Sequence, residues 1–131
     1  MSAKSKQPKT EDLRNPKDIV GSKKVNTFFV PPVATLYMAL AMQEGARKYG
    51  PYNWREKKIQ FSEYDGAAQR HRAALLDGQW LDPESGLPHL AHYMATLAII
   101  ADAFEAGALI DDRPTQSGGS PAVLEQWRKK A

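Results

Sequence analysis

The chain has 131 residues, a formal net charge of +3 at pH 7 and no cysteine. That length supports one hydrophobic core but not two, and the lack of thiols excludes disulfides and thiolate zinc sites. No apolar run approaches the roughly 20 residues of a membrane span and the N-terminus lacks a signal-peptide h-region, so a cytoplasmic protein with no membrane partner is expected.

Residues 1–26 are polar and poor in apolar periodicity, and are expected to form a flexible basic leader. Within residues 4–24, six lysines and Arg14 stand against Glu11, Asp12 and Asp18. One reading is a nucleic-acid arm; a mobile leader that aids solubility is preferred.

A helical catalytic domain is predicted over residues 27–110. Pro31 and Pro32 fix φ and open a helix that Gly50 and Pro51 stop. Its stripe is expected to be Leu36, Ala39, Leu40, Gln43 and Arg47. "PYNWREKKIQ" reads as a loop. A second helix is expected to begin at Ser62 as N-cap and to end at Gly78. Its buried stripe would be Tyr64, Ala67, Ala68, His71, Ala74 and Leu75. "QWLDPESGLP" is a further loop, and a third helix is predicted over about 88–105, with His89, His92, Tyr93, Thr96, Ile100 and Ala103 on one face. Residues 111–131 read as a Pro/Gly/Ser-rich linker and a short amphipathic helix, "PAVLEQWRKK". No segment alternates with period two for long enough to be a strand. The expected class is all-α, and three helices of this length call for partner subunits to complete the bundle.

The stretch "DPESGLPHLAH" concentrates the chemistry. His89 and His92 are three apart and project to one side of the third helix's first turn. Asp82 and Glu84 precede them in a loop stiffened by Pro83 and Pro88. Carboxylate oxygens suit Mg²⁺ or Mn²⁺, and imidazole shifts the preference toward Mn²⁺ or Zn²⁺. The alternative is one structural histidine and a solvated glutamate. His71, in "QRHR", lies on the second helix among alanines, flanked by Arg70 and Arg72. The chain has three histidines, and each falls on the inner face predicted for its helix, which favours one shared site.

"ARKYGPYNWR" gathers Arg47, Lys48, Tyr49, Tyr52, Asn53, Trp54 and Arg55. Arginine and lysine neutralise phosphate oxygens, aromatic rings stack on bases, and an amide reads a polar edge. An ordinary helix C-terminus whose dipole favours cations, followed by a tryptophan-anchored loop, is the other reading.

In this order, "GARKYGPYNWR", "YDGAAQRH" and "DPESGLPHLAH" resemble the phage-encoded dATP/dGTP diphosphohydrolases, small relatives of the MazG-like all-α nucleoside triphosphate pyrophosphohydrolases. The resemblance covers roughly residues 31–106. It implies hydrolysis of a deoxypurine triphosphate, chiefly dGTP and also dATP, to the monophosphate and pyrophosphate. It further implies supply of dGMP to 2-aminoadenine nucleotide synthesis in a phage, a metal requirement, and a homodimer or homotetramer. One departure is plain: the E-E-x-x-E and E-x-x-D metal motifs of the wider superfamily are missing, and "HLAH" stands about where the latter would fall.

On that resemblance Asp82, Glu84, His89 and His92 are expected to hold Mg²⁺ or Mn²⁺, with Glu44, Asp102 or another subunit's carboxylate as further donors. Asp82, Glu84 and His71 are the expected catalytic groups, His71 as general base or orienting group. Arg47, Lys48, Arg55 and Arg70 would offset phosphate charge, and Tyr49, Asn53 and Trp54 would hold purine or ribose. Two alternatives remain. An HD-type triphosphohydrolase needs a contiguous His-Asp pair, whereas His71 is followed by Arg72. A small basic nucleic-acid-binding module would work through the N-terminal lysines.

Overall fold

A computed structural model describes residues 13–129 of the chain. The fold is all-α, with six helices among the described residues and a single pair of two-residue strands. The chain divides into two units at Pro31–Pro32. In the first, residues 1–12 of the expected leader lie outside the described residues. Beyond them Pro16–Gly21 form helix α1, opened by Pro16 and capped by the Asn15 side chain, which accepts from Lys17 N–H at 2.8 Å. A 3₁₀ turn, Thr27–Phe29, follows under an equivalent cap from Asn26.

The second unit is built from α2 (Pro32–Tyr49), the one-turn helix α3 (Asn53–Glu56), strand β1 (Ile59–Gln60), α4 (Phe61–Leu76), α5 (His89–Glu105), strand β2 (Leu109–Ile110) and α6 (Gly119–Gln126). Helix α5 is the centre, packed by α4 on one side and α2 on another. The α2 contact is alanine on alanine: Ala41 meets Ala91 and Ala95, with Tyr37 and Met42 around them. Small side chains let the two backbones approach closely. A second cluster joins Ile59, Ala103 and Ala108, flanked by Trp54, Tyr64 and Ile99. There β1 and β2 pair in parallel, Ile59 opposite Leu109.

Several sequence expectations are corrected. The inner stripe of α2 is not the one through Leu36 and Leu40, which are 64% and 40% exposed. It runs through Tyr37 and Ala41, because only the alanine face can close onto α5. Ser62 does not cap α4. The cap position is Gln60, and Ser62 lies inside the first turn, where its N–H and hydroxyl both donate to the Asp112 carboxylate. A distant aspartate thus satisfies a helix-end donor that a local cap usually serves. Part of "PYNWREKKIQ" is not loop but the α3 turn, entered through Tyr52 in the left-handed region at φ 56°. The final helix begins at Gly119, ahead of Pro121. No helix of the described residues is long and apolar enough to cross a membrane.

Candidate functional site

The end of α4 and the start of α5 are tied by one well-formed C-terminal motif. Gly78, at φ 92°, donates its N–H to Leu75 O, and Gln79 N–H reaches back to Ala74 O at 3.0 Å. This is the Schellman arrangement, which needs a residue free to adopt positive φ. It turns the chain sharply enough for Trp80 O to accept the His89 N–H, and for Leu81 to bridge to Pro88. Between those ends Asp82 shapes the turn. Its Oδ1 accepts from Glu84 N–H at 3.1 Å, and its Oδ2 accepts from the Ser85 hydroxyl at 3.1 Å. Gly86, at φ 75°, completes it.

This turn and the α4–α5 contact bring the three imidazoles together. His71 Nδ1 and His89 Nδ1 are 2.9 Å apart, and His89 Nε2 lies 2.7 Å from Gln79 Oε1. His71 and His92 stack with centroids 4.7 Å apart and planes at 12°. His92 Nε2 is 2.7 Å from Ser85 Oγ and 3.5 Å from Asp82 Oδ2. His89 is 5% exposed, the one buried polar side chain among the described residues. Burial, followed by the neighbouring rings of His92 and His89, lowers the His71 pKa, so that ring is neutral at pH 7. For Asp82, burial opposes ionisation. The hydrogen bonds from Glu84 and Ser85 and the nearby imidazoles outweigh it and hold the carboxyl below its usual range.

The cluster lines a cavity of about 320 Å³. Lys48 enters it from the end of α2, Arg70 from α4, and Asp82 and Glu84 from the loop. Arg70 makes no ion pair among the described residues, whereas Lys48 sits 3.7 Å from Glu44. Two cations and two carboxylates therefore line one cavity with the three imidazoles.

A larger cavity, about 630 Å³, opens on the adjoining stretch of the same helices. Its wall is apolar and aromatic: Tyr49, Tyr52, Trp54 and Tyr64, with Asn53 and Ile99. Asp102 is its acidic group. Trp54 Nε1 donates to Asp102 Oδ2 at 2.7 Å, and Arg55 donates to both carboxylate oxygens at 2.7 and 2.8 Å. The hydrogen bonds from Arg55 and Trp54 bring the Asp102 pKa down to about 2. Burial raises the Tyr64 pKa, with Tyr49 adding to it.

The structure thus gathers His71, Asp82, Glu84, His89, His92, Lys48 and Arg70 around one cavity, and Tyr49, Asn53 and Trp54 around its neighbour. Arg47 and Arg55 line neither. Arg47 pairs with Glu44 on the α2 surface, and Arg55 is committed to Asp102 beneath a stacking contact with Tyr52. Both were expected to offset phosphate charge; in this conformation each guanidinium is engaged with a carboxylate. Neither Glu44 nor Asp102 lines the imidazole cavity: Glu44 is held by Arg47 and Lys48, and Asp102 by Trp54 and Arg55. Sequence reasoning passed over Gln79 and Ser85. The signals were present: a residue directly after a helix-stopping glycine, and a serine three after an aspartate in a proline- and glycine-bounded turn.

Among the described residues no group of three or more His, Cys, Asp or Glu side chains is placed to hold a metal ion. His89 has both ring nitrogens hydrogen-bonded within the protein, so in this conformation it offers no lone pair to a metal, contrary to expectation. The cavity wall also carries His71 and His92, the latter with Nε2 turned to Ser85, and the carboxylates Asp82 and Glu84. The two carboxylates suit Mg²⁺, which keeps several waters and is commonly held by one or two carboxylates plus substrate phosphates.

The family profile described as dATP/dGTP diphosphohydrolase, N-terminal, matches residues 14–113. No curated protein and no solved structure matches the chain. The matched span includes α2 to α5 and every residue of both cavities. On that match the chain belongs to the dATP/dGTP diphosphohydrolase family, whose name is that of a hydrolase acting on nucleoside triphosphates.

Proposed function

We propose that the protein cleaves dGTP, and also dATP, between the α- and β-phosphates, releasing the deoxynucleoside monophosphate and pyrophosphate. One observation carries this reading: an aromatic cavity and a cationic, imidazole-bearing cavity lie side by side on the same helices. His92 and Ile99, one in each wall, are about two turns apart on α5, or ~10 Å of axis. A nucleotide bridges such a span with its base in the first cavity and its phosphates in the second. The 630 Å³ volume is that of a small-molecule site.

In the reaction, a water oxygen forms a bond to the α-phosphorus and the bond to the bridging oxygen breaks, its electron pair leaving with pyrophosphate. His71 takes the water proton, being neutral and set in the cavity wall. Lys48 and Arg70 offset the charge of the phosphate oxygens, the guanidinium being able to engage two at once. Asp82 and Glu84 would hold Mg²⁺ or Mn²⁺. When bound, such an ion supplies Lewis-acid stabilisation of the phosphate oxygens and of the leaving group. Tyr49 and Trp54 present rings to the purine, and Asn53 presents an amide to its edge or to the sugar.

Kinship with the MazG-like enzymes, assembly as a homodimer or homotetramer, and the passing of dGMP to 2-aminoadenine nucleotide synthesis in a phage-infected cell belong to the same proposal. Assembly has a physical motive. No large side chain is fully buried among the described residues, and Val33, Leu36 and Leu40 form an exposed apolar row on α2. A second copy covering that row would supply the missing core.

Hydrolysis of dGTP in ¹⁸O-enriched water tests the reaction. Attack at the α-phosphorus puts the label in dGMP; label in pyrophosphate would contradict it.

A further inference from the structure

The ring nitrogens of His71 are not equivalent, and the cause lies two side chains away. Gln79 Oε1, 2.7 Å from His89 Nε2, is an amide oxygen and can only accept. His89 Nε2 must then carry the hydrogen. With that nitrogen protonated, the neutral His89 ring has its lone pair on Nδ1. His89 Nδ1 is 2.9 Å from His71 Nδ1, so the hydrogen between them belongs to His71. The lone pair of neutral His71 therefore sits on Nε2, which makes no hydrogen bond among the described residues, on a side chain that lines the imidazole cavity.

We infer that Gln79 and His89 are positioning residues that set the tautomer of His71, holding Nδ1 protonated so that Nε2 is the basic atom. The tautomer of a histidine is set by the hydrogen bond its other nitrogen makes. Here the relay has two links and ends on a neutral amide. When Nε2 takes a proton from water, the His71 imidazolium keeps Nδ1–H donating to His89 Nδ1, and no further proton need move. The fold supports the relay at both ends. The Schellman turn at Gly78 delivers Gln79, with its N–H on Ala74 O, and burial at the first turn of α5 leaves His89 a fixed ring. Ring orientation is fixed independently by the stack with His92. His71 is thus constrained in plane by one neighbour and in protonation by another.

The inference rests on His71 being the base of the proposed reaction, but its test does not require turnover. Full-length protein with ¹⁵N-labelled histidine is examined by long-range ¹H–¹⁵N correlation at a pH where His71 is neutral. Wild type is expected to show a protonated, pyrrole-type Nδ1 and an unprotonated, pyridine-type Nε2 for His71. Gln79→Leu removes the acceptor and is expected to release His71 to a mixture of tautomers, with kcat for dGTP falling on the order of tenfold or more and KM little changed. Gln79→Glu restores an acceptor oxygen and is expected to recover the wild-type tautomer. An Nε2-protonated His71 in the wild type, or a His71 tautomer unmoved in Gln79→Leu, overturns the inference. If Gln79→Leu does not fold, the wild-type spectrum alone decides. The expected tautomer without hydrolysis of any deoxynucleotide would leave the relay standing and remove the proposed activity.

Discussion

Lys48 and Tyr49 are consecutive residues at the end of α2, yet they line different cavities: Lys48 the imidazole cavity and Tyr49 the aromatic one. Successive positions on a helix diverge by about 100°. The last turn of α2 therefore divides the two cavities and can contact a nucleotide at both its base and its phosphates. The two roles separate experimentally. Tyr49→Ala should weaken binding of deoxyguanosine, which has no phosphate, by about 1–3 kcal/mol, the usual worth of a base–aromatic stack. Lys48→Met should leave deoxyguanosine binding unchanged while weakening that of the triphosphate. Calorimetry with both ligands on both variants reads the pattern, and equal losses on both ligands in both variants would count against the division.

Asp82 serves the turn as well as the cavity, since its two oxygens accept from Glu84 N–H and the Ser85 hydroxyl. Asp82→Asn keeps an oxygen able to accept from the Glu84 N–H but removes the charge. It should lose turnover by a hundredfold or more, with helical circular dichroism unaltered. Glu84→Ala, an exposed change, should do the same without affecting the turn. Near-normal rates in either variant would take the metal-holding role away from that residue.

The folded Asp102 pKa of about 2 lies below the ~3.9 of an unfolded chain. A group with a depressed folded pKa contributes stability that is present above the unfolded value and is lost as pH falls through the folded one. The Trp54–Arg55–Asp102 network should therefore stabilise fully above about pH 4 and weaken between about pH 4 and 2. Urea melts of wild type and Asp102→Asn should differ most at neutral pH and converge toward pH 2. A difference independent of pH would mean that the carboxylate charge is not what matters.

Gly78 has φ 92° and nothing within 4 Å of where a Cβ would stand. The cost of Gly78→Ala is therefore conformational rather than steric, about 1–2 kcal/mol for a left-handed alanine. Thermal unfolding should show a fall of several degrees. Activity should fall with it because Gln79 is positioned by the same turn, and an unchanged melting temperature would mean that the turn is not under the constraint described.

The exposed row Val33, Leu36 and Leu40 bears on assembly. Sedimentation should find wild type as a dimer or larger and Leu36→Glu/Leu40→Glu shifted toward monomer. A wild-type monomer at all concentrations would remove the second copy from the proposal.

What the sequence disclosed was local, and what it hid was not. The ends of α2, α4 and α5 were legible because Pro32, Gly50, Gly78 and Pro88 act within a residue or two of the boundary they mark. The stripe of α4 through Ala68 and His71 was legible for the same reason. The face of α2 was misread because leucine outweighs alanine in any hydrophobic pattern, while the actual contact needed the smaller Ala41. The cap on α4 was missed because Asp112 lies 50 residues from Ser62. The β1–β2 pair is too short for periodicity to register. In the candidate site the histidines and the acidic loop stood out by composition. Gln79 and Ser85 did not, because a neutral amide and a hydroxyl gain meaning only from the atoms they face. Arg47 and Arg55 stood out by charge, but their pairing with Glu44 and Asp102 is visible only in the fold.

The most direct measurement is to incubate the purified protein with each deoxynucleoside triphosphate, in Mg²⁺ and in Mn²⁺, and to identify the products by chromatography. Consumption of dGTP, with dATP the next best substrate, and release of dGMP and pyrophosphate is the predicted result. Release of deoxyguanosine and tripolyphosphate, or no consumption of either purine triphosphate, would contradict it.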